Sequence, residues 1–199
     1  MVQVQLPSGP PVPPKRNRPS GDSGPSNEFG DGLKVLPFTV LYDHREVAAG
    51  WRFQGIKGDS RDKYQTLVVN QQKVHLVTAD YTIEGVPVFI ERKSHEDAIG
   101  SIGGGHVRLR AEHERMHEIV KAGGVCCVIC ETTHSAIIDE LSDPYSTRQL
   151  DPDSVDGVLR SWPIKYQVPW YFPGSRAAAE RFALGFLRKW YEELTGKKG

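Results

Sequence analysis

Residues Tyr81 to Asp97 constrain the fold of this chain more than any other stretch. Tyr81-Thr82-Ile83 is a short β-branched and aromatic run. Glu84-Gly85 follows, and then Val86-Pro87-Val88-Phe89-Ile90 leads into Glu91-Arg92-Lys93. A glycine in a two-residue connection between apolar runs predicts a tight hairpin, because glycine reaches the left-handed backbone that such turns need. Ser94, with Asp97 three residues on, predicts a helix cap and a helix to about Ile102. Side chains alternate along a strand, so Glu91 and Lys93 share one face and Arg92 takes the other. Two antiparallel strands running straight into a helix require a sheet with at least one helix-covered face.

The rest of the chain supplies partners for that unit. Phe38 to Tyr42 reads as a buried strand ending at Asp43, and Leu67–Val69 and Lys73–Val77 read as two further strands. A helix from about Val107 to Ala122 stops at Gly123-Gly124. Val125 to Glu131 is an apolar strand, Thr133 to Leu141 a helix, and Asp143 to Asp153 a loop. A short helix near Val155–Ser161 and a strand near Gln167–Tyr171 follow. Ser175 then caps a long helix with an apolar stripe at Ala179, Phe182, Phe186, Trp190 and Leu194. Strands first, then alternating helices and strands, predict an α/β domain with a central mixed sheet flanked by helices. Residues 1–33 are rich in Pro, Gly and Ser and are expected to form a disordered tail ahead of a domain at 34–199. The short basic cluster Lys15-Arg16-Asn17-Arg18 in that tail reads as solvated charge.

Composition limits what the domain does. The 199 residues carry 25 Lys plus Arg and 25 Asp plus Glu, a formal net charge of zero. Holding nucleic acid by bulk electrostatics needs a more basic chain, so any such binding is local or shared with a partner. The apolar runs fall far short of the roughly twenty residues of a membrane span, and Met1 to Leu6 lacks the pattern of a signal peptide. The three cysteines form no secreted disulfide framework. The expected compartment is intracellular: the cytoplasm in a prokaryotic or viral setting, the nucleus in a eukaryotic one.

The chemistry concentrates at the end of the hairpin. Asp80, ten residues before Ile90-Glu91-Arg92-Lys93, can converge with Glu91 on a divalent cation, while Lys93 sits beside an attacking water. Phosphodiester hydrolysis calls for this grouping, because a carboxylate-held metal both neutralises phosphate and acidifies its water. Asp43-His44-Arg45-Glu46 lies at the end of the first predicted strand, where α/β sheets usually build sites. Asp43 and Glu46 can supply further carboxylates, and Arg45 can bind phosphate or pair with one of them.

Other motifs have plainer readings. His113-Glu114-Arg115-Met116-His117 fits the zinc-peptidase pattern, but no third ligand follows in the extended spacing, and Glu112, Glu114, Arg115 and Glu118 read as an exposed charged helix face. Cys126, Cys127 and Cys130 lie in an apolar strand and read as small buried side chains. Gly100-Ser101-Ile102-Gly103-Gly104-Gly105 lacks the lysine of a phosphate loop. Trp162, Trp170, Tyr171 and Trp190 sit in apolar segments and read as core rather than as base-stacking groups.

Asp43-His44-Arg45-Glu46, Ala79-Asp80-Tyr81 and Ile90-Glu91-Arg92-Lys93-Ser94-His95-Glu96-Asp97 together resemble the signature of the XPF-type nuclease domain, a branch of the PD-(D/E)XK superfamily. Ala98 to Ile102, then Arg108-Leu109, Glu112 and Met116, and later Pro173 to Phe182, continue the resemblance, which covers about residues 38–195. Two departures stand out: Ala79 replaces the usual glycine, and the segment at Gly103-Gly104-Gly105-His106 is two residues longer. The tandem helix-hairpin-helix module that members commonly carry has no counterpart in the chain. The resemblance implies a restriction-endonuclease-like fold and a metal-dependent DNA endonuclease acting on branched, flap or fork DNA in repair or recombination. It implies Mg²⁺ or Mn²⁺ held by Asp80, Glu91 and Asp43. Glu46, Arg92, Lys93 and Asp97 complete the catalytic set, Arg45 and Arg108 contact DNA, and a homodimer or partner subunit assists. Alternatives are a non-cleaving XPF-like DNA-binding or dimerisation subunit and, further off, a zinc peptidase at His113 and His117.

Overall fold

The computed structural model of the protein describes residues 32–47, 50–58, 64–104, 106–145 and 150–199. Apart from Gly32 and Leu33, the expected tail with its basic cluster lies outside the described residues, as does part of the expected loop after Asp143. In chain order the elements are β1 (Leu33–Asp43), a 3₁₀ turn (His44–Val47), β2 (Thr66–Val74), β3 (Tyr81–Ile83), β4 (Val86–Lys93), α1 (His95–Gly103) and α2 (His106–Lys121). Then follow β5 (Val125–Cys130), α3 (His134–Ser142), α4 (Pro152–Tyr166), β6 (Trp170–Tyr171) and α5 (Arg176–Thr195).

Six strands form one sheet in the order β2-β1-β3-β4-β5-β6. The β3–β4 hairpin lies at its centre, with β3 antiparallel to both β1 and β4, while β1–β2, β4–β5 and β5–β6 are parallel. The sheet is therefore mixed, as expected. Gly85 supplies the turn with φ of +72°. Ser94 accepts a hydrogen bond from the Asp97 amide and opens α1 directly off the end of β4.

Alternation along the strands splits the interior into two layers. Val88 and Ile90 of β4 and Cys127 and Ile129 of β5 pack with Trp51, Phe53 and the buried side of α5. Cys126, Val128 and Cys130 face the opposite way, into α1 to α4 through Ile99, Ile102, Leu109, Met116, Ile137, Leu141 and Val155. Each fully buried Leu or Ile contributes about 1.5–3 kcal/mol, so both layers are needed to hold a sheet apolar on both faces. The cysteines are free and buried, with burial pushing the Cys126 and Cys130 thiols up to about 12. They are inert packing groups, as the sequence indicated.

Three expectations need correction. The two strands read at Leu67–Val69 and Lys73–Val77 are one strand ending at Val74. The polar Asn70-Gln71-Gln72 between them is tolerated because β2 lies at the sheet edge with only Leu67 buried. The short helix near 155–161 runs from Pro152 to Tyr166, straight through Pro163. Proline in a helix interior sacrifices a backbone bond, but Val155, Leu159 and Tyr166 are buried against the second layer and hold the helix together. On α5 the buried positions are Ala179, Ala183, Leu184, Leu187, Arg188 and Tyr191. Phe182 is 38% exposed and Leu194 41%, so the stripe read from the large apolar residues lies beside the true contact face. The true contact face combines the small Ala179 and Ala183 with Leu184, Leu187 and Tyr191, and includes the charged Arg188.

Candidate active site

Three segments meet at one end of the sheet: the turn after β1, the residues entering β3, and the end of β4. Asp80 is fixed there by backbone bonds to both neighbours, its carbonyl accepting from Asp43 N–H (2.8 Å) and its own N–H donating to Ile90 (2.9 Å). Its Oδ2 accepts from the Arg92 backbone N–H at 2.8 Å. Ala79, just before it, has φ of +66°. This left-handed conformation is one that glycine adopts freely and alanine does not.

Asp80, Glu91 and Lys93 line one cleft with Glu46, Asp97 and Glu112, and Arg45, Arg108 and Arg115 border it. The strand alternation predicted for β4 holds. Lys93 Nζ donates to Glu91 Oε1 and to Glu112 Oε2, both at 2.8 Å, and Arg108 Nε donates to the other Glu112 oxygen at 3.1 Å. Burial opposes a charge on Lys93, but Glu91 and Glu112 outweigh it and hold the ammonium above its usual range. Burial pushes the Asp80 carboxyl up, helped by the charge of Glu91, to about 8. Burial likewise raises Glu91, with Lys93 opposing. Two acidic groups that both resist ionisation beside a fixed cation form a donor set of hard oxygens that a divalent cation would relieve.

Arg92 occupies the opposite face, as alternation required, and still contributes to the lining of the cleft. Its guanidinium is buried, donating to Glu131 through Nε (2.8 Å) and Nη2 (2.9 Å) and to Glu46 Oε2 through Nη1 (3.0 Å). Trp51 Nε1 donates to the same Glu131 at 2.7 Å. Arg92 thus joins the turn after β1 to the segment that follows β5. Gly50, just after that turn, permits the approach: a Cβ there would lie 2.3 Å from the Glu46 carbonyl and 2.8 Å from Tyr81 Oη.

Asp43 differs from expectation. Its side chain is fully buried and does not line the cleft. Oδ1 accepts from Arg45 N (2.9 Å) and Nε (2.5 Å), and Oδ2 accepts from the Leu76 amide (2.8 Å). Burial alone would raise its pKa, but these donors hold it well below the usual carboxylate range. Arg45 therefore pairs with a carboxylate while also bordering the cleft. Asp97 does line the cleft, and its Oδ2 accepts from Ser94 Oγ at 2.8 Å.

The zinc-peptidase motif dissolves into the core. His113 is fully buried; its Nδ1 donates to Leu109 O (2.9 Å) and its Nε2 accepts from Trp170 Nε1 (2.8 Å), so neither nitrogen is left for a metal. His117 Nδ1 donates to Tyr166 O at 2.8 Å. Trp170 is core, with Trp162, Tyr171 and Trp190 packed against the two layers. Glu112, read as part of an exposed face, is 7% exposed. Glu112, Arg115 and Glu131 are site residues that spacing did not single out, because each reaches the cleft or its anchor from an element distant in sequence.

The ERCC4 domain family matches residues 42–182. No curated protein matches the chain at the sequence level. Among solved structures, XPF from Aeropyrum pernix in complex with DNA superposes with a TM-score of 0.53 at 16% identity, covering 79% of this chain and 66% of that one. A second structure, XPF from Aeropyrum pernix, gives 0.52 at 16% identity, covering 79% and 65%. The chain thus spans just under two thirds of the length of the XPF chains it matches, and at this identity the likeness establishes the restriction-endonuclease-like fold. With the family match running over most of the chain and through every motif at the cleft, the protein belongs to the ERCC4-domain family.

Proposed function

We propose that the protein is a divalent-metal-dependent DNA endonuclease whose centre is Asp80, Glu91 and Lys93. The observation that carries this reading is the cleft at the end of β4, where two carboxyls raised by burial, Asp80 also by the charge of Glu91 and Glu91 by that of Glu112, lie beside a lysine bonded to Glu91 and Glu112. Asp80 and Glu91 would hold Mg²⁺ or Mn²⁺, which when bound would polarise the scissile phosphate and lower the pKa of water. Lys93, held charged by Glu91 and Glu112, would offer an N–H to a phosphate oxygen or orient the attacking water. Glu112 positions that ammonium, and Asp97, bonded to the Ser94 cap of α1, lines the same cleft. Arg45, Arg108 and Arg115 supply the local positive border that a chain of zero net charge needs to meet a phosphate backbone.

The XPF neighbour is in complex with DNA, which supports DNA as the substrate. Branched, flap or fork DNA, met during repair or recombination in whichever compartment holds it, is the proposed target, gripped with the help of a second copy or a partner. The test is incubation with single-stranded, duplex, flap, fork and four-way-junction DNA in Mg²⁺, with Glu91→Ala as control. Cleavage of a branched substrate by the wild type and none by Glu91→Ala is expected. Equal cleavage by Glu91→Ala would overturn the assignment, and a wild type inert on every substrate would favour a non-cleaving DNA-binding subunit.

A further inference from the structure

His44, inside the Asp43-His44-Arg45-Glu46 motif, and His75 are 31 residues apart, yet their Nδ1 atoms lie 3.3 Å from each other. The rings approach to 5.1 Å between centroids, tilted by 52°. Asp43 completes the group: His44 Nδ1 lies 3.5 Å from its Oδ1 and His75 Nδ1 3.9 Å from its Oδ2. One donor atom from each of the three residues falls within 4.8 Å of the others. An ion bound tetrahedrally at about 2.0–2.1 Å from imidazole nitrogen sets its ligands about 3.3–3.4 Å apart. The observed nitrogen spacing is that edge length.

Donor chemistry sharpens the choice of ion. Oδ1 of Asp43 already accepts two hydrogen bonds from Arg45, whereas Oδ2 accepts one from Leu76 and has a lone pair to spare. The carboxylate is buried and oriented by three protein donors, so it is a preorganised ligand. The histidine side chains are 51% and 72% exposed, leaving an open side where water can complete the shell. Two imidazoles and one carboxylate suit Zn²⁺, Co²⁺ or Ni²⁺, while Mg²⁺ prefers an all-oxygen set such as Asp80 and Glu91.

We propose that Asp43, His44 and His75 form a second cation site, selective for Zn²⁺-type ions and separate from the Asp80–Glu91 cleft. Its placement gives it a role. His44 opens the 3₁₀ turn that carries Arg45 and Glu46, and His75 leads into the segment that carries Val77, Ala79 and Asp80, all of which line the cleft. An ion here clips the two segments that wall the cleft, adding to the Leu76-to-Asp43 bond that already joins them. The site stands whether or not the cleft cuts DNA.

Chelator-stripped full-length protein titrated with Zn²⁺ by calorimetry, and with Co²⁺ by visible absorption, tests it. One Zn²⁺ per chain is expected to bind at a site that His44→Ala/His75→Ala weakens at least tenfold, with loss of the Co²⁺ band. Glu91→Ala should leave this site within twofold of wild type, which separates it from the cleft. Both histidines are exposed, and unchanged circular dichroism of the double variant confirms that folding is intact. Zn²⁺ binding unaffected by the double variant, abolished by Glu91→Ala, or absent up to about 1 mM would each overturn the proposal.

Discussion

At the scale of single residues, Ala79 shows how chemistry and backbone compete. The turn into β3 requires a left-handed residue at φ of +66° to bring Asp80 into the cleft, and alanine holds it at a cost. Left-handed backbone costs a non-glycine residue about 1–2 kcal/mol, while glycine loses about 0.4–1 kcal/mol of extra chain entropy on folding. Ala79→Gly is therefore expected to stabilise the protein by about 0.5–1 kcal/mol, raising Tm by about 1–4 °C in a chain of this size. Thermal unfolding followed by circular dichroism checks it; a lower Tm would show that the Ala79 methyl packs better than its backbone is strained. Asp80, Glu91 and Lys93 were legible in the sequence because they cluster in one hairpin. Asp43 was legible as an important acid but not in its role, since its partners include the Leu76 amide, 33 residues away.

At the scale of elements, β4 carries two functions on two faces. Glu91 and Lys93 meet α2 at Glu112, whereas Arg92 joins Glu131 of the post-β5 segment to Glu46 of the turn after β1. Among the described residues, removing Arg92 would leave Glu46 with only Tyr81 Oη at 3.5 Å and Glu131 with Trp51 and the half-exposed Arg176. Breaking a buried ion pair from one side costs about 3–5 kcal/mol, so Arg92→Ala is expected to lower the urea midpoint sharply. Glu91→Ala removes an acid from a crowded site and should not do so. Equal midpoints for Arg92→Ala and wild type would mean that Arg92 is not an anchor. Alternation along β4 was readable from period two alone. The buried face of α5 was not, because it mixes Ala179 and Ala183 with Leu184, Leu187, Arg188 and Tyr191, while the larger Phe182, Phe186 and Trp190 border a surface hollow with Ile56 and Leu67.

At the scale of the whole molecule, the cleft sets a conflict between folding and function. Asp80 keeps its proton to about pH 8 in the folded chain but only to about 4 when unfolded. Between those values the folded state binds more protons, so stability falls as pH rises. His113, lowered by burial, has the opposite slope below about pH 6.5, so the clean window lies above it. From pH 6.5 to 8 in EDTA, wild-type Tm should fall by about 3–6 °C relative to Asp80→Asn, and Mg²⁺ should restore it. Parallel curves for the two proteins would show that Asp80 is ionised throughout. The order of elements, the hairpin, the helix caps and the carboxylate–lysine set were determined by sequence, since period-two alternation, glycine turns and capping are local physics. Beyond the local pairs Asp43–Arg45 and Glu91–Lys93, which acids meet which cations was decided only by the tertiary structure. The sheet order β2-β1-β3-β4-β5-β6 and the packing of α2 on it bring Lys93 to Glu112 and Arg92 to Glu131. Those pairs depend on distances across strands and layers, to which one-dimensional spacing is blind.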